Sequence, residues 1–338
     1  MSFHNILVVR TDRIGDVVLT VPAIRALKKA FPAARVSVLV SPVTAPLLQG
    51  LSFIDGVIVE DRVSGLRGFW RTLLMLRRHR FDLSVIYHTK KRINILCALA
   101  GIPVRLGYRN DKCGFLLTHP VKDERPLGIK HESEYCLDLL LGIGVDPGSI
   151  DLEIAVDPVA ERWADSFFPE ISRGKPVVAI HPDSSCVTRH WPVSSFAVLL
   201  KKISDGLNVT PVIIGASSTV QIAKEIITLA GVPAVDLSGK LSMAQLASFL
   251  RRTAVLVSND SGPAHVAAAV DTPVVCLFLR IQPGINPTRW RPLGRKSVTL
   301  FNRSGEEIII NADSQVISGR FDSITPDDVL AEVKKVLP

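Results

Sequence analysis

Asn259-Asp260-Ser261-Gly262-Pro263-Ala264-His265 stands between an apolar run, Ala254-Val255-Leu256-Val257-Ser258, and a helix-favouring run, Val266-Ala267-Ala268-Ala269-Val270. Together they read as a strand, a sharp turn and a helix N-terminus. Asp260 and Ser261 offer side-chain oxygens, and Gly262 permits close backbone approach. The first N–H groups of such a helix have no partner inside it and suit an anion such as a phosphate. A similar construction stands near the start: Asn5-Ile6-Leu7-Val8-Val9, then Arg10-Thr11-Asp12-Arg13-Ile14-Gly15-Asp16, then a helix.

Working outward, strand-like runs at 5–9, 36–40, 56–59, 83–87 and 104–107 alternate with helical patterns at 16–30, 65–78, 93–99 and 131–142. This alternation predicts a mostly parallel sheet with helices on both faces. Pro22 within the first helix predicts a kink or restart. Around 151–175 the pattern breaks, and Asp157-Pro158 predicts a short linker helix reaching Phe168-Pro169. Strands then resume at 176–180, 211–214, 234–237, 255–257 and 273–277, with helices at 193–203, 219–230 and 242–251 and an amphipathic closing helix at 326–336. The expected fold is α/β: two Rossmann-like doubly wound domains at 1–155 and 176–322, a linker at 156–175 and a closing segment at 323–338. In open sheets of this kind ligands lie outside the carboxyl ends of the strands, so the two turns are expected to face each other across a cleft.

A chain of 338 residues suits two domains of ordinary size, and 47% hydrophobic with 21% charged residues excludes a disordered chain. No run reaches the ~18 uninterrupted apolar residues of a membrane helix, and the start passes directly into a strand, so no signal peptide is expected. Five widely spaced cysteines without metal-type pairing predict reduced thiols in a cytosolic protein and no metal site. The net charge of +8 lies in residues 1–150, with 21 Lys+Arg against 13 Asp+Glu; residues 151–338 carry 19 of each. A basic half predicts an anionic partner: nucleic acid, acidic lipid, or a phosphorylated or carboxylated glycan. Nucleic-acid signatures are missing: no zinc spacing, aromatic RNP motif or basic zipper occurs.

Four stretches carry candidate chemistry. Thr11-Asp12-Arg13-Ile14-Gly15-Asp16 lacks the GxGxxG spacing of a dinucleotide site, and Asp16 reads either as a helix N-cap or as a carboxylate able to take a proton from a hydroxyl. His181 to Pro192 follows a strand and precedes a helix; its hydroxyl residues, Arg189 and Trp191-Pro192 suit a phosphate pocket, or else an ordinary polar loop in which Trp191 packs. Cys186 has no evident orienting partner for a nucleophile's role. In the opening turn, His265 reads as structural and Asp260 as a further possible cap. The segment 62–92 holds Arg62, Arg67, Arg71, Arg77, Arg78, Arg80, Lys90, Lys91 and Arg92 against the single acid Asp82, with Leu66, Phe69, Trp70, Leu73 and Leu74 at helical spacing. It reads either as a surface helix with a core-facing stripe and solvated arginines, or as an anion-binding or membrane-surface face.

Taken together, these residues resemble the lipopolysaccharide heptosyltransferases, glycosyltransferase family 9, over nearly the whole chain. Residues 6–22 are close to the family's N-terminal signature, Arg189-His190-Trp191-Pro192 resembles its Lys-x-Trp-Pro motif, and 258–269 is its strongest motif. Ile102-Pro103-Val104-Arg105-Leu106-Gly107 and the region of Trp290 and Pro292 also fit. The resemblance implies a GT-B fold with the acceptor site in the first domain and the nucleotide-sugar in the second. It implies transfer of a heptose from ADP-heptose to the lipopolysaccharide inner core, with inversion by direct displacement, no metal, and no cofactor beyond the donor substrate. Asp16 matches the proposed general base and Asp260 the residue holding the donor near the sugar, with Ser261, Gly262, Pro263 and His265 beside it. Ser184, Ser185 and Arg189 would bind phosphate oxygens, and Gly239, Lys240 and Met243 fall where adenine and ribose pack. Arg13, Arg62, Arg67, Lys90 and Arg92 are the expected contacts to an anionic core acceptor. The implied location is cytoplasmic, at the inner face of the inner membrane with peripheral contact to its surface, and no nucleic acid is an expected partner.

Three departures bear on the donor. The family's usual Lys is Arg189, its Gly after Leu277-Phe278 is Leu279, and the loop Gly215-Ala216-Ser217-Ser218 lacks the acidic residue often found there for ribose. The alternatives are a family relative with another nucleotide-sugar or a protein acceptor, or an ADP-sugar-binding protein without turnover. A plain Rossmann dehydrogenase is disfavoured by the missing glycine fingerprint.

Overall fold

The computed structural model describes residues 2–61, 64–184, 190–279, 281–301, 309–310, 316–318 and 324–337. The chain divides into two compact units, Met1–Ala155 and Val156–Pro338.

The first unit contains β1 (Asn5–Val9), α1 (Ile14–Ala30), β2 (Arg35–Val40), β3 (Gly56–Val59), α2 (Gly65–His79), β4 (Leu83–Ile86), α3 (Lys91–Leu99), β5 (Val104–Tyr108), β6 (His119–Val121) and α4 (Glu132–Leu140). All strand pairings are parallel, in the order β3-β2-β1-β4-β5-β6. Central β1 is apolar almost throughout because both its faces are covered. Ile6 and Val8 join one core with residues of α1 and α4, while Leu7 and Val9 join another with residues of α2 and α3. The restart expected at Pro22 does not occur. The helix runs unbroken from Ile14 to Ala30, with Pro22 buried inside it.

The stripe on α2 divides in a way its spacing did not predict. Leu73 is buried with Leu76, and Phe69 packs on the same core, whereas Leu66, Trp70 and Leu74 face solvent. Gly68 explains how closely the helix seats: a Cβ there would lie 2.4 Å from the Asp61 carbonyl oxygen.

The second unit contains α5 (Pro158–Ser172), β7 (Val177–His181), α6 (Val193–Gly206), β8 (Thr210–Ile213), α7 (Val220–Ala230), β9 (Val235–Asp236), α8 (Met243–Leu250), β10 (Val255–Asn259), α9 (Gly262–Ala269), β11 (Val274–Phe278), α10 (Pro287–Trp290), β12 (Val298–Phe301) and α11 (Pro326–Val336). A short antiparallel pair, β13 (Ile309–Ile310) with β14 (Val316–Ser318), precedes α11. The main sheet is parallel, in the order β12-β11-β10-β7-β8-β9. The expected linker helix is longer than its sequence signals and docks on this unit. Asp157 Oδ1 accepts from the N–H groups of Val159 and Ala160 at 2.7 and 2.9 Å, and the helix continues through Pro169. Its Phe168 packs on Phe249 of α8 with ring centroids 5.6 Å apart, and Glu161 pairs with Arg251 and Arg252.

Two strands of the main sheets, β6 and β12, and the β13–β14 pair were not anticipated; β6 and β12 stand at sheet edges. Both edge strands are short, three and four residues long, and neither is a continuous buried apolar run. Pro120 in β6 is tolerated because an edge position leaves one side without a ladder partner.

Candidate active site

Each sheet reverses its winding direction between two central strands. In the first unit this point lies between β1 and β4, in the second between β7 and β10. Crevices at such reversals, outside the carboxyl ends of the strands, are the natural ligand sites of doubly wound sheets. The turns singled out from the sequence stand at these two points.

In the first unit, β1 ends at Val9 and the chain turns through Arg10 to Arg13 before α1. Thr11 Oγ1 lies 3.0 Å from His88 Nδ1, which ties this turn to the one after β4. Asp16 is not the N-cap. Arg13 occupies that position without a side-chain cap bond, and Asp16 lies in the first turn of α1. Its carboxylate accepts a hydrogen bond from Arg10 Nη2. Arg10 is almost wholly buried and is shared among three acids: Nη2 also donates to Glu132 Oε1 at 2.9 Å, and Nε lies 3.0 Å from Asp12 Oδ1. Burial alone would weaken the Arg10 charge, but Asp12, Asp16 and Glu132 outweigh it and hold the guanidinium protonated. Arg10 is thus shared among three carboxylates. Burial pushes the Asp16 carboxyl up to about 6; Arg10 pulls it down, and Asp12 and Glu132 push it further up. The result is a carboxylate that can hold or release a proton near neutrality, which suits a general base.

Arg10, Asp12 and Glu132 were missed as site residues by sequence reasoning. Arg10 and Asp12 lie inside the quoted N-terminal stretch, yet nothing marked them as Asp16's partners. Glu132 follows Arg10 by 122 positions, and its only local signal is an acid in the first turn of α4. There His131 and Glu134 form the capping box, and Glu132 is wholly buried.

In the second unit, Asn259 holds the two central turns together. Its Nδ2 donates to the Pro182 carbonyl at 2.6 Å, and its Oδ1 accepts from the Trp191 N–H at 3.1 Å. Trp191 is buried, as the packing alternative expected, and its Nε1 donates to the Ile324 carbonyl at 2.9 Å. Asp260 is buried at the end of β10. It does not cap α9: Ser261 precedes the helix, in extended conformation, and makes no side-chain cap bond. The Ser261 hydroxyl lies instead 2.9 Å from Ser258 Oγ and 3.2 Å from His181 Nδ1. Burial lowers the His181 imidazole to about 4, so it stays neutral and serves as a hydrogen-bonding partner. Gly262 and Pro263 form the first turn of α9, and His265 is buried one turn on.

Asp183 organises the neighbouring wall. Its Oδ2 accepts from Ser218 Oγ at 2.9 Å and Thr219 Oγ1 at 3.0 Å, and its Oδ1 accepts from the Ser184 N–H at 2.7 Å. Burial would raise this carboxyl, but those hydrogen bonds outweigh it and hold it below the usual range. The loop 215–218, which has no acid of its own, thus receives one from the end of β7. Gly215 is required there: a Cβ would lie 2.2 Å from Thr219 Oγ1 and 2.5 Å from Thr219 Cβ. Gly239 has φ +70° and its N–H donates to the Gly215 carbonyl at 2.8 Å. The exposed Lys240 donates to the Asp236 carbonyl at 2.6 Å, and Met243 opens α8 behind the Ser242–Gln245 capping box. Gly239, Lys240 and Met243 therefore follow β9 on the same side of the sheet as Asp183.

Of the expected acceptor contacts, Arg13, Arg67 and Lys90 are exposed. Arg92 is engaged inside its own unit, with Nε 3.0 Å from the buried Glu60 and Nη2 donating to the Asp61 carbonyl at 3.1 Å. Arg62, Ser185 and Arg189 lie outside the described residues, as does Cys186. The four described cysteines are free, and burial pushes Cys97 and Cys136 up to about 12, so they are inert. No helix among the described residues is long and apolar enough to cross a membrane.

The family model described as glycosyltransferase family 9 (heptosyltransferase) matches residues 69–312. Lipopolysaccharide heptosyltransferase 3 of Escherichia coli is 25% identical, over 96% of this chain and 96% of its own. The fold is that of a family 9 glycosyl transferase from Veillonella parvula (TM-score 0.84, 20% identity, 99% and 97% of the two chains) and of E. coli ADP-heptose lps heptosyltransferase II (TM-score 0.79, 22% identity, 98% of each).

Proposed function

The chain belongs to glycosyltransferase family 9, and from that premise we propose that it transfers a heptose from ADP-heptose to the inner core of lipopolysaccharide, with Asp16 as general base. The acceptor hydroxyl gives its proton to the Asp16 carboxylate as its oxygen attacks the anomeric carbon. The bond from that carbon to the diphosphate breaks, ADP leaves, and the configuration inverts. The observation that carries this reading is the half-buried Asp16 carboxyl, raised to about 6 beside the shared Arg10 guanidinium at the winding reversal of the first sheet.

The donor belongs to the second unit. Asp260, Ser261, Gly262, Pro263 and His265 line its sugar and diphosphate, with the opening N–H groups of α9 toward the phosphates. Ser184, Ser185 and Arg189 bind phosphate oxygens and offset charge on the departing ADP, while Gly239, Lys240 and Met243 receive adenine and ribose. Names of relatives support the choice of donor and acceptor: heptosyltransferase II carries ADP-heptose in its description, and the E. coli relative acts on lipopolysaccharide. The surplus of cations in the first unit suits an acceptor bearing carboxylates and phosphates.

A transfer assay with ADP-heptose and defined core acceptors tests the reading directly. Asp16→Ala should abolish turnover, by about 10²-fold or more, while ADP affinity measured by calorimetry stays unchanged. Full turnover in that variant would remove Asp16 from the chemistry. Faster turnover with a different nucleotide-sugar would replace the donor.

A further inference from the structure

The outer face of α2 carries two kinds of side chain that a soluble surface does not normally place together. Leu66, Trp70 and Leu74 follow one another at intervals of four residues and are 80%, 55% and 51% exposed. That spacing puts them in one row along the helix. Arg67, Arg71 and Arg78 stand at 100° to 140° around the axis from Leu66, on about 100° per residue, and all three are exposed. Arg77 falls within the apolar row itself, and its Nε donates to the Leu99 carbonyl at 3.0 Å. The helix contains no acidic residue. Its opposite face, through Gly68, Thr72, Leu73 and Leu76, is the one buried against the sheet.

A helix that seats one apolar face in its own core does not need a second. An exposed apolar row costs solvation, and it is normally retained where something covers it. The charge beside the row says what the cover is. An acidic peptide would be matched by arginines alone, and a second copy of this basic helix would bring like charges together. An anionic lipid surface takes both: leucines and an indole enter the boundary between headgroup and acyl chain, while guanidinium groups lie among the phosphates. We propose that α2 docks this protein on anionic membrane through Leu66, Trp70 and Leu74, with Arg67, Arg71 and Arg78 on the lipid phosphates. The proposal is independent of the reaction assigned above, since none of these apolar residues belongs to either site.

Vesicle co-sedimentation tests it with the full chain. The protein should pellet with phosphatidylcholine–phosphatidylglycerol vesicles, far less with phosphatidylcholine alone, and should be released by salt. Arg67→Gln/Arg71→Gln/Arg78→Gln should weaken partition on the order of a hundredfold. Leu66→Gln/Trp70→Gln/Leu74→Gln should weaken it by at least about tenfold with the charge intact. Both variants alter exposed positions, so an unchanged melting temperature confirms that each is folded. Trp70 gives an independent signal: its emission should shift to the blue on anionic vesicles, and Trp70→Phe should abolish that shift. Failure of the wild type to bind anionic vesicles overturns the proposal, as does binding that survives the apolar substitutions. A dimer in solution that the apolar substitutions dissolve would make a second copy the occupant and equally overturn it. Transfer to a soluble acceptor fragment should be untouched by the apolar variant, so a fault in the reaction assignment would leave the vesicle result standing.

Discussion

A carboxyl group hydrogen-bonded to a guanidinium ordinarily titrates low, and Asp16 titrates high because the desolvation of its charge, with Asp12 and Glu132 adding to it, outweighs the pull of Arg10. Arg10 answers Asp12, Asp16 and Glu132 at once, with the guanidinium and Glu132 buried and the other two carboxylates half-buried. Two consequences have opposite signs. For catalysis, the base must be unprotonated, so the rate of transfer should rise with pH through about 6. For stability, a carboxyl whose folded pKa lies above its unfolded value is favoured when protonated. The penalty for its charge is absent at low pH, grows as pH climbs from the ordinary range of about 4, and is complete above about 6. Asp16→Asn should therefore be inactive yet more stable than the wild type at about pH 8, by roughly 1–3 kcal/mol, with the gain vanishing near pH 4. Thermal melting across that range measures it. A variant less stable at high pH would mean that Arg10 supports the charge more than burial opposes it. The identity of Asp16 was legible in the chain because a motif named it. Its environment was not: Glu132 is remote in sequence, and a buried acid looks like any helix-opening acid until α4 packs against α1.

At the scale of the element, glycines let the polar turns approach closely. Gly215 admits Thr219 so near that the hydroxyl reaches Asp183. Gly215→Ala should drive Thr219 away, cost about 1–3 kcal/mol, and raise KM for the nucleotide donor more than it lowers kcat. An unaltered KM would detach this loop from donor binding. Periodicity located nearly every long element to within a few residues, since β1, β7 and β10 are buried on both faces and their apolar runs are continuous. It could not tell which apolar side chains of α2 turn inward. Leu73 and Leu74 are adjacent and chemically identical, and it is Leu73 that shares a core with Leu76 and Phe69.

At the scale of the molecule, both units wind the same way about the same kind of reversal, yet their chemistry differs. The first gathers acids round Arg10; the second gathers hydroxyls, a neutral imidazole and a helix start. If that division follows the reaction, ADP should protect backbone amides at 181–184, 215–219, 239–243 and 259–265 from hydrogen exchange, leaving 10–16 and 87–90 unchanged. Protection centred on the first unit would reverse the assignment of donor and acceptor. The alternation of strands and helices announced two such units. Their strand order was not legible, because parallel strands buried on both faces look alike in sequence and only long-range pairing distinguishes the centre from the edge.

The reach from Arg10 to Glu132 also governs when the surroundings of Asp16 are complete. A polypeptide leaving the ribosome displays Asp16 early, with Arg10 and Asp12 beside it, while Glu132 is still unsynthesised. Until α4 emerges and folds back, Asp16 lacks both the burial and the Glu132 charge that raise it, and is a weaker base than in the finished unit. Maturation of the site is thus timed by translation of residue 132 and the residues of α4 beyond it. A chain halted before that helix carries the motif without its tuning.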